Sequence, residues 1–185
     1  MILDRLREDV RAALAKDPAA TSAVTVALLY PGLHAVWGYR VAHALWERGF
    51  TFTARLLSQA VRLFTGVEIH PAADVGRRLF VDHGAAVVIG ETAEIGDDVL
   101  MYHGVTLGGD SMRREKRHPT LEDGVTVGAN ATLLGDITVG ENATVGAGSV
   151  VVESVPPETT VAGSPAEQVS GTGAERAVSQ ECGPE

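Results

Sequence analysis

Residues 125–151 read VTVGAN ATLLGD ITVGEN ATVGAG SVV when cut every six positions. An aliphatic residue (Val127, Leu133, Val139, Val145, Val151) returns at the third place of each block. A small or branched residue (Val125, Ala131, Ile137, Ala143) stands two places before it, and Gly128, Gly140 and Gly146 follow it. A β-sandwich would alternate with period two and repeat its strands every 8–12 residues or so. A six-residue period marks a parallel β-helix instead, in which no coil can bury its own inner face and each is stabilised by stacking on its neighbours.

The same spacing extends upstream. Leu121 opens the phase just quoted; Ile89, Ile95, Met101 and Leu107 form a second, and Ile69, Val75, Val81 and Val87 a third, two residues out of step with the second. Three hexads make one triangular coil, so the span from Ile69 to Val151 supplies about four to five coils spaced like paired strands, about 4.8 Å apart. Before Gly66 the period is helical. Ile2, Leu3, Leu6, Val10, Ala13 and Leu14 mark a first amphipathic helix, and Asp17-Pro18 reads as the cap and first turn of a second that stops near Pro31-Gly32. A third pattern runs from Leu33 to Gly49 and a fourth from Leu56 to Gly66. The expected architecture is α+β: a helical domain over residues 1–66, a parallel β-helix over 67–170, and a polar, disordered tail over 171–185.

Composition narrows the function. Fifteen Lys and Arg against 24 Asp and Glu leave a net charge of −9, which repels nucleic acid and anionic membrane surfaces. The apolar stretch around Ala23 to Tyr30 is too short to cross a bilayer, and Met1 opens an amphipathic pattern rather than a signal peptide, so a cytoplasmic protein is expected. The single cysteine, Cys182, provides no disulfide framework, no cysteine zinc site and no nucleophile. No metal is expected.

Counting hexads places His83 two residues after Val81 and His103 two after Met101, so the two imidazoles should stack on one edge of the prism. Between Leu107 and Leu121 the pattern lapses into Gly108-Gly109-Asp110-Ser111-Met112-Arg113-Arg114-Glu115-Lys116-Arg117-His118-Pro119, a projecting polar loop of the kind that carries binding groups on a rigid scaffold.

Several segments together resemble the serine acetyltransferases: Glu68-Ile69-His70-Pro71, Asp82-His83-Gly84, Val88-Ile89-Gly90-Glu91-Thr92, Gly104-Val105-Thr106-Leu107-Gly108-Gly109, Arg117-His118-Pro119 and Gly163-Ser164-Pro165-Ala166. The resemblance covers roughly residues 5–170 and implies a left-handed winding of the β-helix. It also implies transfer of an acetyl group from acetyl-CoA to the hydroxyl of L-serine, the first step of cysteine biosynthesis. His83 matches the general base, a role suited to imidazole with its unperturbed pKa of about 6.5. Glu68 matches its carboxylate partner, where long-form relatives carry aspartate. Asp17 and Asp82 match residues that meet the serine amino group, and Arg117 and His118 those near its carboxylate. Gly108 and Gly109 are implied at the oxyanion, and Ala129 and Ala147 along the CoA arm. A homotrimer with sites between prisms, or a dimer of trimers, is implied, with L-cysteine as feedback inhibitor.

Three features depart from the family pattern. The loop reads Gly109-Asp110-Ser111-Met112-Arg113 in place of Gly-Gly-Thr-Gly-Lys, and His103 replaces a glutamine above the expected base. The chain also ends Cys182-Gly183-Pro184-Glu185 rather than in the aliphatic terminus by which relatives dock into O-acetylserine sulfhydrylase, so no stable complex with that enzyme is expected. Other readings are a hexapeptide acyltransferase acting on a sugar or amine, a γ-type carbonic anhydrase and a structural β-helix. The carbonic anhydrase needs a close histidine pair plus a third ligand, which His83, His103 and His118 do not supply.

Overall fold

A computed structural model describes residues 2–170, with side chains from Asp4 onward. The expected disordered tail, with Cys182, lies outside the described residues. Four helices come first: α1 (Ile2–Lys16), α2 (Ala23–Leu29), α3 (Pro31–Trp46) and α4 (Thr51–Thr65). None is long and apolar enough to cross a membrane.

Two helix boundaries differ from the sequence reading. The second helix begins at Ala23 rather than Pro18, with Ser22 as its cap; Asp17 instead holds a turn, its carboxylate accepting from the Ala19 amide at 2.8 Å. Pro31 opens α3 rather than ending α2, because proline lacks the amide hydrogen that a first-turn residue does not need. Gly66 takes a left-handed φ of 74° and stops α4.

The solenoid then runs coil by coil. The first coil is β1 (Val67–Ile69), β2 (Asp74–Val75) and β3 (Phe80–Val81); the second is β4 (Val87–Ile89), β5 (Glu94–Ile95) and β6 (Leu100–Met101). The third is β7 (Thr106–Gly108), β8 (Thr120–Leu121) and β9 (Thr126–Val127); the fourth is β10 (Thr132–Leu134), β11 (Thr138–Val139) and β12 (Thr144–Val145). Then follow β13 (Val150–Val151), β14 (Thr160–Gly163) and β15 (Ala166–Ser170), the last folding back antiparallel on β14. Every third strand pairs in parallel, giving three faces: β1-β4-β7-β10-β13, β2-β5-β8-β11, and a third from β3 through β6, β9 and β12 to β14 and β15.

Register turns the hexad aliphatics into columns. On the first face Ile69, Ile89, Leu107, Leu133 and Val151 align; on the second Val75, Ile95, Leu121 and Val139; on the third Val81, Met101, Val127, Val145 and Val161. All are buried in one continuous core. Burying each such side chain contributes roughly 1.5–3 kcal/mol relative to exposure.

The two breaks in the sequence period have physical locations. The two-residue slip falls in the corner between β3 and β4, at residues 82–86, where His83 and Ala86 both take positive φ. The longer break is the excursion between β7 and β8, at the corner joining the first and second faces.

The helices close the open end of the first coil. The Ser58 hydroxyl donates to the Ile69 carbonyl at 2.9 Å, and the buried Tyr39 hydroxyl donates to that of Ala73 at 2.5 Å. Backbone meets backbone where α3 starts: a Cβ on Gly32 would lie 1.9 Å from the Val81 carbonyl oxygen, and one on Gly84 would lie 2.8 Å from the Gly32 Cα. Only glycine allows the helix to seat against the corner that carries His83.

Candidate active site

Two clusters of polar side chains stand on two different edges of the prism. The first occupies the edge between the third and first faces. There His83 sits at φ 53° with its side chain 76% exposed, and its Nε2 lies 3.8 Å from the Asp82 carboxylate, itself only 18% exposed. The His103 ring stands above it edge-on, 6.2 Å away between centroids, with its Nδ1 buried and unpartnered among the described residues.

The helical segment completes this edge. The Tyr30 hydroxyl donates to the Asp17 carboxylate at 2.5 Å, and the Tyr30 ring stacks on Phe80, the residue that opens β3, at 6.4 Å. That hydrogen bond, with a second from the Ala19 amide, holds the Asp17 carboxyl below the usual carboxylate range. The same bond, then burial and the charges of Asp17 and Asp82, pushes the Tyr30 phenol up to about 12. Two carboxylates beside one accessible imidazole suit a cationic group next to a proton acceptor.

Ala129 and Ala147 continue the edge upward. The Asn130 amide donates to the His103 carbonyl at 2.9 Å and the Gly148 amide to the Ala129 carbonyl at 2.8 Å, so His83, His103, Ala129 and Ala147 mark successive coils of one column.

The second cluster occupies the edge between the first and second faces, where the long loop leaves and returns. Arg117 donates to Glu91 at 2.6 Å and to the Arg113 carbonyl at 3.0 Å. This pairing holds the Glu91 carboxyl below its usual range. His118 is 7% exposed, and its ring lies over Gly90, where a Cβ would come within 2.0 Å of it. Its Nδ1 receives the Thr92 amide hydrogen at 3.2 Å. Burial, helped by the Arg117 charge, lowers its pKa. His70 is alike: the Ala72 amide donates to its Nδ1 at 3.0 Å, Trp46 packs edge-on at 5.3 Å, and burial, then the Arg55 charge, lowers its pKa to about 4. Gly108 and Gly109 lead into this loop from β7, which pairs with β10.

Glu68 lies on β1, between the two edges. Its carboxylate pairs with Arg62 at 2.8 Å and receives a hydrogen bond from Gln59 at 3.4 Å; no contact joins it to His83 within the chain. Thus Asp17, Asp82 and His83 come together, Arg117 and His118 come together, and one chain does not bring the two groups to a common point. Among the described residues no group of three or more His, Cys, Asp or Glu is placed to hold a metal.

Tyr30, His70, Glu91 and Thr92 were not singled out as site residues from the sequence. Position 30 is joined to Asp17 by a tertiary contact that no period encodes. Glu91 and Thr92 carried a signal, since they follow Gly90 at the hexad corner that faces Arg117.

Comparison with known proteins agrees with this architecture. The family described as bacterial transferase hexapeptide (six repeats) matches residues 118–152. A serine acetyltransferase of Mycobacterium tuberculosis is 53% identical over 168 residues, 91% of this chain and 73% of that protein. The crystal structure of Neisseria gonorrhoeae serine acetyltransferase in complex with serine superposes with a TM-score of 0.87 at 43% identity, covering 90% of this chain and 68% of that one. A serine acetyltransferase structure in complex with cysteine gives a TM-score of 0.90 at 41% identity, covering 91% and 70%. The chain belongs to the serine acetyltransferase family.

Proposed function

We propose that the chain transfers acetyl from acetyl-CoA to the L-serine hydroxyl at sites assembled between copies, with His83 as general base. The observation that carries this is the separation of the two clusters onto different edges of one prism. A single prism is convex, and a cleft arises where the His83 edge of one copy meets the Arg117 edge of the next, in a trimer or a dimer of trimers.

In such a cleft the zwitterion finds complementary charge. Asp17, backed by Tyr30, and Asp82 face the ammonium group; Arg117 and His118 face the carboxylate. Glu68 belongs with the Arg117 half and orients the imidazole of the partner's His83, as the carboxylate does in a catalytic triad. The serine hydroxyl gives its proton to the imidazole as its oxygen attacks the thioester carbonyl. The oxyanion rests on amides at Gly108-Gly109. The carbon–sulfur bond then breaks with its electron pair on sulfur, and the imidazolium returns the proton to the thiolate. The acyl donor runs up the column past His103 toward Ala129 and Ala147. The prism winds left-handed, as the family resemblance implies, and the enzyme works in the cytoplasm.

L-Cysteine differs from serine by sulfur for oxygen, so it fills the same cleft and inhibits. Thiol release from acetyl-CoA, measured with serine and with sugar acceptors, tests the reading. Serine-dependent release supports it; release that follows a sugar, or none at all, overturns it.

A further inference from the structure

We propose that Thr92 is a positioning residue that fixes His118 as the Nε2–H tautomer, a neutral hydrogen-bond donor for the acceptor's carboxylate. Thr92 sits at the corner between β4 and β5, opposite the end of the long loop. Its hydroxyl oxygen accepts the amide hydrogens of Arg117 at 3.0 Å and of His118 at 3.2 Å. Its amide hydrogen points at His118 Nδ1 at 3.2 Å, and its hydroxyl lies 2.9 Å from the same nitrogen.

The assignment follows from what each group can do. An amide N–H only donates, so Nδ1 accepts and carries no proton. With the two amides occupying the lone pairs of the Thr92 oxygen, the hydroxyl can only donate, and its hydrogen shares the single Nδ1 lone pair with the Thr92 amide. The ring proton therefore resides on Nε2, at the ring edge that lies over Gly90, where it makes no hydrogen bond among the described residues. Charged or titratable neighbours are Arg117, Lys116 and Asp110 on the loop, Glu91 after β4, and His70 after β1. Room for the ring comes from Gly90. One residue thus does both: its hydroxyl holds the backbone of the two carboxylate-facing residues and its amide fixes the tautomer of one.

This inference rests on placing His118 at the acceptor's carboxylate, and its test separates the two claims. Nitrogen-15 NMR of the imidazole in the full chain reads the tautomer directly, without substrate. The wild-type protein should show a pyridine-type Nδ1 and a pyrrole-type Nε2 for His118. A protonated Nδ1 would overturn the proposal even if serine is acetylated. Thr92→Val keeps the residue-92 amide but loses the hydroxyl that accepts the Arg117 and His118 amides, so it should raise the KM for serine roughly tenfold to a hundredfold, more than it lowers kcat, and shift the His118 resonances while the amide still holds the Nε2–H form. Thr92→Ser, which keeps the hydroxyl, should stay within about threefold of wild type. A valine variant with unchanged KM contradicts the proposal, as does a serine variant as impaired as the valine one. A His118 spectrum as proposed in a chain that does not acetylate serine would overturn the function instead.

Discussion

Tyr30 and Asp17 share a 2.5 Å hydrogen bond that ties the turn after α1 to the start of α3, beside the corner carrying Asp82 and His83. The bond stabilises the ionised carboxylate, so the pair is intact at neutral pH and is lost as pH falls through the lowered Asp17 titration.

Tyr30→Phe removes the phenol hydroxyl and keeps the ring on Phe80. The KM for serine should rise roughly tenfold with little change in kcat, since the lost bond orients a carboxylate that binds rather than reacts. Steady-state kinetics with serine varied checks this, and carboxyl NMR should show Asp17 titrating at higher pH in the variant.

His70 makes stability fall in mild acid. Its folded pKa is about 4, whereas in the unfolded chain it protonates near 6.5 or so. Between those values the unfolded state binds the extra proton, so stability is complete above the upper value and declines toward the lower one. Denaturant midpoints taken from pH 7 to pH 4.5 or thereabouts should fall less steeply for His70→Asn than for wild type.

Gly90→Ala drives a Cβ into the His118 ring, within 2.0 Å of its carbon. The ring must leave its place over β4, at a cost of about 1–3 kcal/mol in stability. Serine kcat/KM should drop by more than about tenfold, because His118 loses its hold on Thr92. Urea unfolding and acetylation assays on one preparation read both effects.

Leu133→Ala opens a cavity in the fourth coil, where Leu133 is fully buried between Leu107 and Val151. Loss of about 2–5 kcal/mol is expected, measured as a lowered denaturation midpoint with unaltered serine KM in the folded fraction.

The solenoid was legible because each inward position repeats an aliphatic residue at fixed spacing, and the period itself places His83 and His103 in register. The slip in phase was legible but its place was not: the six-residue spacing runs on from Val81 to Val87, whereas the register sets Val87 beside Val67 and puts the two extra residues at the His83 corner. The helical boundaries near Pro18 and Pro31 read less well. A proline preceded by a capping residue looks alike whether a helix or a tight turn follows, and the tie from Asp17 to Tyr30 decides in favour of the turn. His118 could be picked out by its motif, but its neutral state could not: that depends on Thr92 and Gly90, brought to it by the stacking of the second coil under the third. Glu68 shows the limit of motif spacing most clearly, because within one chain it pairs with Arg62 on α4.

Subunit mixing tests the central claim most directly. His83→Ala and His118→Ala chains are unfolded together, refolded as mixed trimers and assayed for serine-dependent thiol release at a serine concentration too low for either chain alone to turn over. Sites shared between copies predict recovery of about a quarter of wild-type activity, the share of interfaces at which an intact His83 edge meets an intact His118 edge. A mixture as inactive as its components, in trimers shown to be mixed, would contradict the account.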